Sequence, residues 1–195
     1  MSVQITRLDN GIHVITHDLA HLETVSLGIW VRAGARDEAA AQNGIAHFLE
    51  HMAFKGTSKR SAMQIAQDIE NVGGDINAST SMEVTGYYAR VLKEDWRLGL
   101  DILADILTDP VFDPAEVARE RDVILQEIAA SNDEPDDLVF DLAQAVAYPA
   151  HALGRPILGI SEQVRSLQQQ NPNQANDLSI AMELQADCFA GVWLS

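Results

Sequence analysis

The sequence predicts an α+β fold: a mainly antiparallel sheet packed with helices. Two observations carry this. Strand signals arrive first and in adjacent pairs, and helical patterns follow in blocks. A third excludes the main rival. Single strands do not alternate regularly with single helices, so a doubly wound parallel sheet is not expected.

The elements follow in order. Val3, Ile5, Ile12 and Val14 flank Asp9-Asn10-Gly11, a strong turn signal, so residues 3–17 read as a β-hairpin. Thr24 to Val31 is β-branched and aromatic, as a third strand should be. Residues 34–43 are small and polar and suit a loop. Residues 44–54 place Ile45, Phe48, Leu49 and Met52 at helical spacing. Ser61-Ala62-Met63-Gln64 has capping-box form and opens a helix through Ile65, Ile69 and Val72, which Gly73-Gly74 ends. Asp75 to Thr80 and Thr85 to Leu92 read as two more strands, and Asp95 to Leu107 as a helix. Asp113-Pro114 pairs an N-cap with proline at the first helical position and starts a helix toward Asn132. Asp136 to Ala147 is a further helix, whose acidic start suits the helix dipole.

Composition limits what the chain does. It has 195 residues, 47% apolar and 22% charged, which is ordinary for a globular protein and enough for a full core. Its formal charge of −16 argues against nucleic-acid binding, which needs clustered lysine and arginine. A single cysteine, Cys188, excludes an internal disulfide framework. The N-terminus lacks the pattern of a signal peptide, and no apolar run reaches the ~18 residues of a membrane helix. The expectation is a soluble, cytoplasmic protein without a membrane partner.

The histidines carry the chemistry. His47 and His51 lie four apart on an expected helix, so both imidazoles project from one face. Two ligands of one zinc ion need that spacing. Glu50, between them, is placed to take a proton from a metal-activated water. By average residue usage such a pentapeptide arises by chance in about one chain in a hundred of this size. Catalytic zinc needs a third protein ligand. Glu116, Glu120 and Glu127 are on offer, and Glu120 and Glu127, seven apart, share a helix face. One of the two could bind the metal while the other supports it from behind. His13, His17 and His21 are also four apart, but on a strand that spacing separates side chains by ~13 Å, so they read as sheet residues. His151, in a turn, reads as structural.

At His47-Phe48-Leu49-Glu50-His51 the chain resembles the pitrilysin, insulysin and mitochondrial processing peptidase family, whose inverted zinc motif this is. The flanks also resemble it: Asn43 to Ala46, Met52 to Thr57, Gly73 to Ala78, Glu120 to Ile128 and His151 to Pro156. The resemblance covers about residues 1–167 and implies the peptidase half of a processing-peptidase-like fold, incomplete at its end. It implies a zinc-dependent endopeptidase with one zinc ion per chain, acting on extended peptides or presequence-like segments. His47, His51 and Glu127 would be the ligands, Glu50 the general base and Glu120 the supporting acid. Asn77, Ala78 and Ser79 would lie on the edge strand to which substrate adds by β-augmentation. Members of the family pair homologous domains, so a second domain or subunit is an implied partner. The alternative is a catalytically incomplete module that binds zinc or packs against a partner.

The last 28 residues differ. Gln168 to Asn176 is polar and reads as a linker, and Leu178 to Trp193 is a short apolar helix candidate. Ala181 to Trp193 resembles a segment of a bacterial group of neutral zinc metallopeptidases, but the His-Glu-x-x-His helix that group requires is absent, so Glu183 is assigned no metal.

Overall fold

A computed structural model describes residues 3–166. The polar stretch, the apolar segment after it, Glu183 and Cys188 all lie outside the described residues.

The first two strands, β1 (Val3–Arg7) and β2 (His13–His17), pair antiparallel with Ile5 opposite Ile15. The expected turn closes them: Gly11 takes φ +88°, and the Ile12 N–H donates to Asn10 Oδ1 at 3.2 Å. This hairpin stands as its own two-stranded sheet, with both strands exposed along their whole length.

The main sheet contains β3 (Thr24–Val31), β4 (Asp75–Thr80) and β5 (Thr85–Leu92), antiparallel in the order β3-β5-β4. In the central strand, Tyr87, Ala89 and Val91 are buried while Tyr88, Arg90 and Leu92 face outward, the period-two alternation of a sheet covered on one side. The cover comes from α1 (Ile45–Ala53), α2 (Ala62–Glu70) and α3 (Trp96–Thr108). Ile65 and Ile69 of α2 and Ile102, Leu103 and Ile106 of α3 meet Val31, Ala78, Tyr87, Ala89 and Val91 in one core.

Three more helices follow: α4 (Pro114–Asp133), α5 (Pro135–Ala147) and α6 (Ser161–Ser166). A second core joins Phe48, Leu49 and Met52 of α1 to Ile124 and Ile128 of α4 and Val164 of α6. Helix α1 is therefore held between two cores, because Ala53 on another side of it joins the first.

The expected caps form. Ser61 Oγ accepts the Gln64 N–H while Gln64 Oε1 accepts the Ser61 N–H, a reciprocal capping box. Asp113 Oδ1 accepts the Ala115 N–H at 2.7 Å, with Pro114 at the first helical position. The loop expected over residues 34–43 carries two short 3-10 turns, Ala35–Asp37 and Ala40–Gln42. Helix α5 departs from a core-facing pattern: Val139, Phe140, Leu142 and Val146 are all exposed. Among the described residues, no helix is long and apolar enough to cross a membrane.

Candidate metal centre

The site begins with how α1 starts. Its N-cap, Gly44, has φ +97° and no side chain to cap with. Glu38 supplies the acceptor instead. Its carboxylate takes the Gly44 N–H at 2.9 Å, the Ala46 N–H at 2.8 Å and Asn43 Nδ2 at 3.0 Å. The Gly44 and Ala46 N–H groups are among those that the first helical turn leaves unpaired. Asn43 Nδ2 also donates to the Pro156 carbonyl at 3.1 Å, and the Arg155 guanidinium donates to the Glu38 carbonyl. A Cβ at Gly44 would come within 2.9 Å of Gly159 Cα and the Leu158 carbonyl. The entrance to α1 is thus clamped between two segments more than 110 residues apart in sequence. Burial pushes the Glu38 carboxyl above the usual range, against the opposing pull of the Ala46 and Gly44 amides.

One turn on, His47 and His51 bring their Nε2 atoms 3.2 Å apart. Helix α4 lies alongside, fixed by the Phe48–Leu49–Met52 core, and presents its acidic face. Glu127 Oε2 sits 3.6 Å from each of the two Nε2 atoms. The three groups form a cluster in which one ligand atom from each lies within 4.8 Å of the others. Glu120, two turns earlier on α4, is buried; its Oε2 stands 3.1 Å from His51 Nδ1 and its Oε1 2.6 Å from Lys55 Nζ. Glu116, also considered from sequence, pairs with Arg119 instead.

The electrostatics suit a cation. Burial, reinforced by the neighbouring His51, lowers the His47 pKa to about 4 against an opposing pull from Glu127. His47 is therefore neutral near pH 7, the form that offers a lone pair. Burial pushes the Glu120 carboxyl up, but hydrogen bonds from Lys55 and His51 outweigh this and hold it below its usual range. An ionised Glu120 at His51 Nδ1 favours the tautomer with the proton on that nitrogen, leaving Nε2 free toward the cluster. Burial, followed by the charge of the Glu50 carboxylate, raises the Tyr87 phenol.

The donor set fits zinc. Tetrahedral zinc with bonds near 2.1 Å separates its ligand atoms by about 3.4 Å. The separations here are 3.2, 3.6 and 3.6 Å. His51 has its outer nitrogen anchored, whereas the buried Nδ1 of His47 has no hydrogen-bond partner among the described residues.

Asn77, Ala78 and Ser79 lie on β4, which pairs only with β5 among the described residues and packs beside α1. Asn77 and Ser79 are exposed and Ala78 is buried. Asn77 Oδ1 accepts the Ala78 N–H at 2.9 Å, so the edge strand carries its own cap. His13 and His17 are exposed on the hairpin, in a different sheet. His151 Nδ1 accepts the Leu153 N–H at 3.1 Å, a structural role.

Sequence reasoning missed Glu38 and Lys55. Glu38 follows no local capping motif, since it reaches α1 from six residues before Gly44. Lys55 was visible, four residues after His51 and so in helical phase with it, but its partner on α4 was not.

Comparison with known proteins shows which family the chain resembles. The sequence profile of the family described as Insulinase (Peptidase family M16) matches residues 13–161. A Rickettsia felis protein named as an uncharacterized zinc protease is 46% identical over 162 residues, covering 83% of this chain and 39% of that protein. The mitochondrial-processing peptidase subunit beta of Blastocladiella emersonii is 45% identical over 166 residues, covering 85% of this chain and 36% of its own length. The chain thus spans under two fifths of the length of either relative. Among solved structures, pitrilysin superposes with a TM-score of 0.79 at 29% identity, over 93% of this chain and 19% of pitrilysin. A Helicobacter pylori protease gives 0.79 at 25% identity, over 84% of this chain and 40% of that protease. The profile match spans most of the chain and includes both helices of the histidine–glutamate cluster, so the chain belongs to the insulinase family, peptidase family M16.

Proposed function

We propose that the chain is the metal-bearing domain of a zinc-dependent endopeptidase. The observation that carries this reading is the convergence of His47, His51 and Glu127 from two helices at spacings that suit a tetrahedral ion. One zinc ion per chain would be held by these three side chains. When bound, zinc supplies Lewis acidity, which makes water a nucleophile near neutral pH. Glu50 takes the proton of the attacking water and hands it to the leaving amine. Glu120 keeps the His51 ring in its ligating tautomer. An extended peptide adds to the free edge of β4, where Asn77 must release the Ala78 N–H and Ser79 lies exposed.

The relatives extend well beyond this chain, and one is named as a subunit. A second homologous domain or subunit is therefore the expected partner in forming a closed chamber. A second reading, a zinc-binding module that packs against a partner without turnover, is favoured by the exposed apolar residues of α5 and the hairpin.

Zinc titration together with cleavage of a quenched extended peptide tests both. The peptidase reading expects one zinc per chain and cleavage that Glu50→Gln abolishes while zinc still binds. At a free zinc concentration 100-fold above Kd the fold should gain about 2.7 kcal/mol. Stoichiometric zinc without Glu50-dependent cleavage would favour the module, and a chain that binds no zinc would refute both.

A further inference from the structure

We infer that Lys55 is a positioning residue for the metal centre, acting through Glu120 on His51. This rests on the zinc reading above, and concerns a side chain whose ammonium pairs with Glu120 and not with a proposed ligand of the cluster.

The argument starts from the two oxygens of Glu120. Oε2 faces His51 Nδ1 at 3.1 Å, and Oε1 faces Lys55 Nζ at 2.6 Å. A carboxylate gripped on both oxygens cannot turn about its last torsion without losing one contact. The Lys55 grip fixes the plane of the group, and the plane aims Oε2 at the imidazole. His51 then has its ring angle set, which directs Nε2 toward Glu127 Oε2 at 3.6 Å and His47 Nε2 at 3.2 Å.

Water is a poor substitute for the lysine. The Glu120 side chain is 5% exposed, so an Oε1 without Lys55 has little access to another donor. The base of Lys55 is also held in place. Its N–H donates to the Met52 carbonyl at 3.1 Å, just past the end of α1. The next residue, Gly56, bridges Ser61 and accepts the Val111 N–H at 2.9 Å, and Thr57 bridges Pro110. The ammonium is thus delivered from a backbone fixed on both sides, with the Lys55 side chain 28% exposed. This differs from an exposed surface ion pair, which holds little and is screened by salt.

The competing explanation is that Lys55 simply ties the end of α1 to α4. That role would alter stability and leave the affinity of the folded protein for zinc unchanged. The two are separated by measuring zinc Kd, by competition with a chromophoric chelator, at a temperature where circular dichroism shows every variant folded. Partners behind metal ligands typically contribute 10- to 100-fold in affinity, and Lys55 stands one residue further out. Lys55→Met is expected to weaken zinc about tenfold, and Lys55→Arg to restore affinity to within about threefold of wild type. On a Glu120→Gln background, Lys55→Met should add almost nothing, because its effect passes through the Glu120 carboxylate.

A metal-free readout accompanies these. The 15N spectrum of the His51 imidazole should show the Nδ1–H tautomer in the wild type and a mixture of tautomers in Lys55→Met. Unchanged zinc affinity in Lys55→Met, losses that add on the Glu120→Gln background, or an unchanged His51 spectrum would overturn the proposal. A wild type that binds no zinc would refute the metal-centre reading, and the metal-free spectra would then decide the role of Lys55 by themselves.

Discussion

Truncating Glu38 should loosen the helix that carries the histidines. In Glu38→Ala the Gly44 and Ala46 N–H groups and Asn43 Nδ2 lose an acceptor at 2.8–3.0 Å. Asn43 is fully buried, so water does not readily replace it. Loss of a helix cap costs about 1 kcal/mol, and an unsatisfied buried donor about 1–3 kcal/mol more. Opposing this, burial already disfavours the ionised carboxylate, as its raised pKa shows. The net loss is about 2–3 kcal/mol, equivalent to a fall in melting temperature of roughly 5–10 °C for a domain of this size. Glu38→Gln removes the cost of burying a charge and keeps one acceptor oxygen, so it should lose only about 1 kcal/mol. Urea unfolding followed by far-UV circular dichroism measures both. Zinc affinity should fall with stability, since His47 directly follows the Ala46 amide that Glu38 holds. A Glu38→Ala variant within about 0.5 kcal/mol of wild type, or a glutamine variant weaker than the alanine, would refute the reasoning.

Acid should destabilise the metal-free protein through His47. Its folded pKa of about 4 lies below the ordinary 6.5, so between those values the unfolded chain binds a proton that the folded chain excludes. Stability therefore falls as pH drops from 6.5 toward 4, by at most about 3 kcal/mol. Urea midpoints of wild type and His47→Gln across that window check this, and parallel curves would exclude His47 as the cause. In the sheet core, Ile102→Ala should cost about 2–5 kcal/mol, because Ile102 is fully buried among Tyr87, Val91 and Leu103. Val146→Ala on α5, 81% exposed, should cost under about 0.5 kcal/mol in the same assay.

Most of the local structure was legible because its signals are local. The Asn10-Gly11 turn, the Ser61–Gln64 capping box and the Asp113-Pro114 start each specify their own element within four residues, and each forms as expected. The shared face of His47 and His51 was legible for the same reason, since helical periodicity places residues four apart on one face. Nothing in the alternation of β1 and β2 tells that the hairpin stands outside the main sheet, or that β5 rather than β3 is its centre. Those are choices among strand edges that look alike in sequence.

By itself the sequence determined the elements, the pair of histidines with its intervening glutamate, and a short choice of acids for the third position. The resemblance already named Glu127 and Glu120 for the third position and its support, and only the tertiary structure gave their distances. It set Glu120 behind His51 and brought Glu127 to 3.6 Å from both histidines. It also recruited Glu38 to cap α1 and Lys55 to hold Glu120. The physical reason is that periodicity tells which residues share a face of one helix. The distance between the faces of two helices is set by the side chains packed between them, here Phe48, Leu49 and Met52 against Ile124 and Ile128.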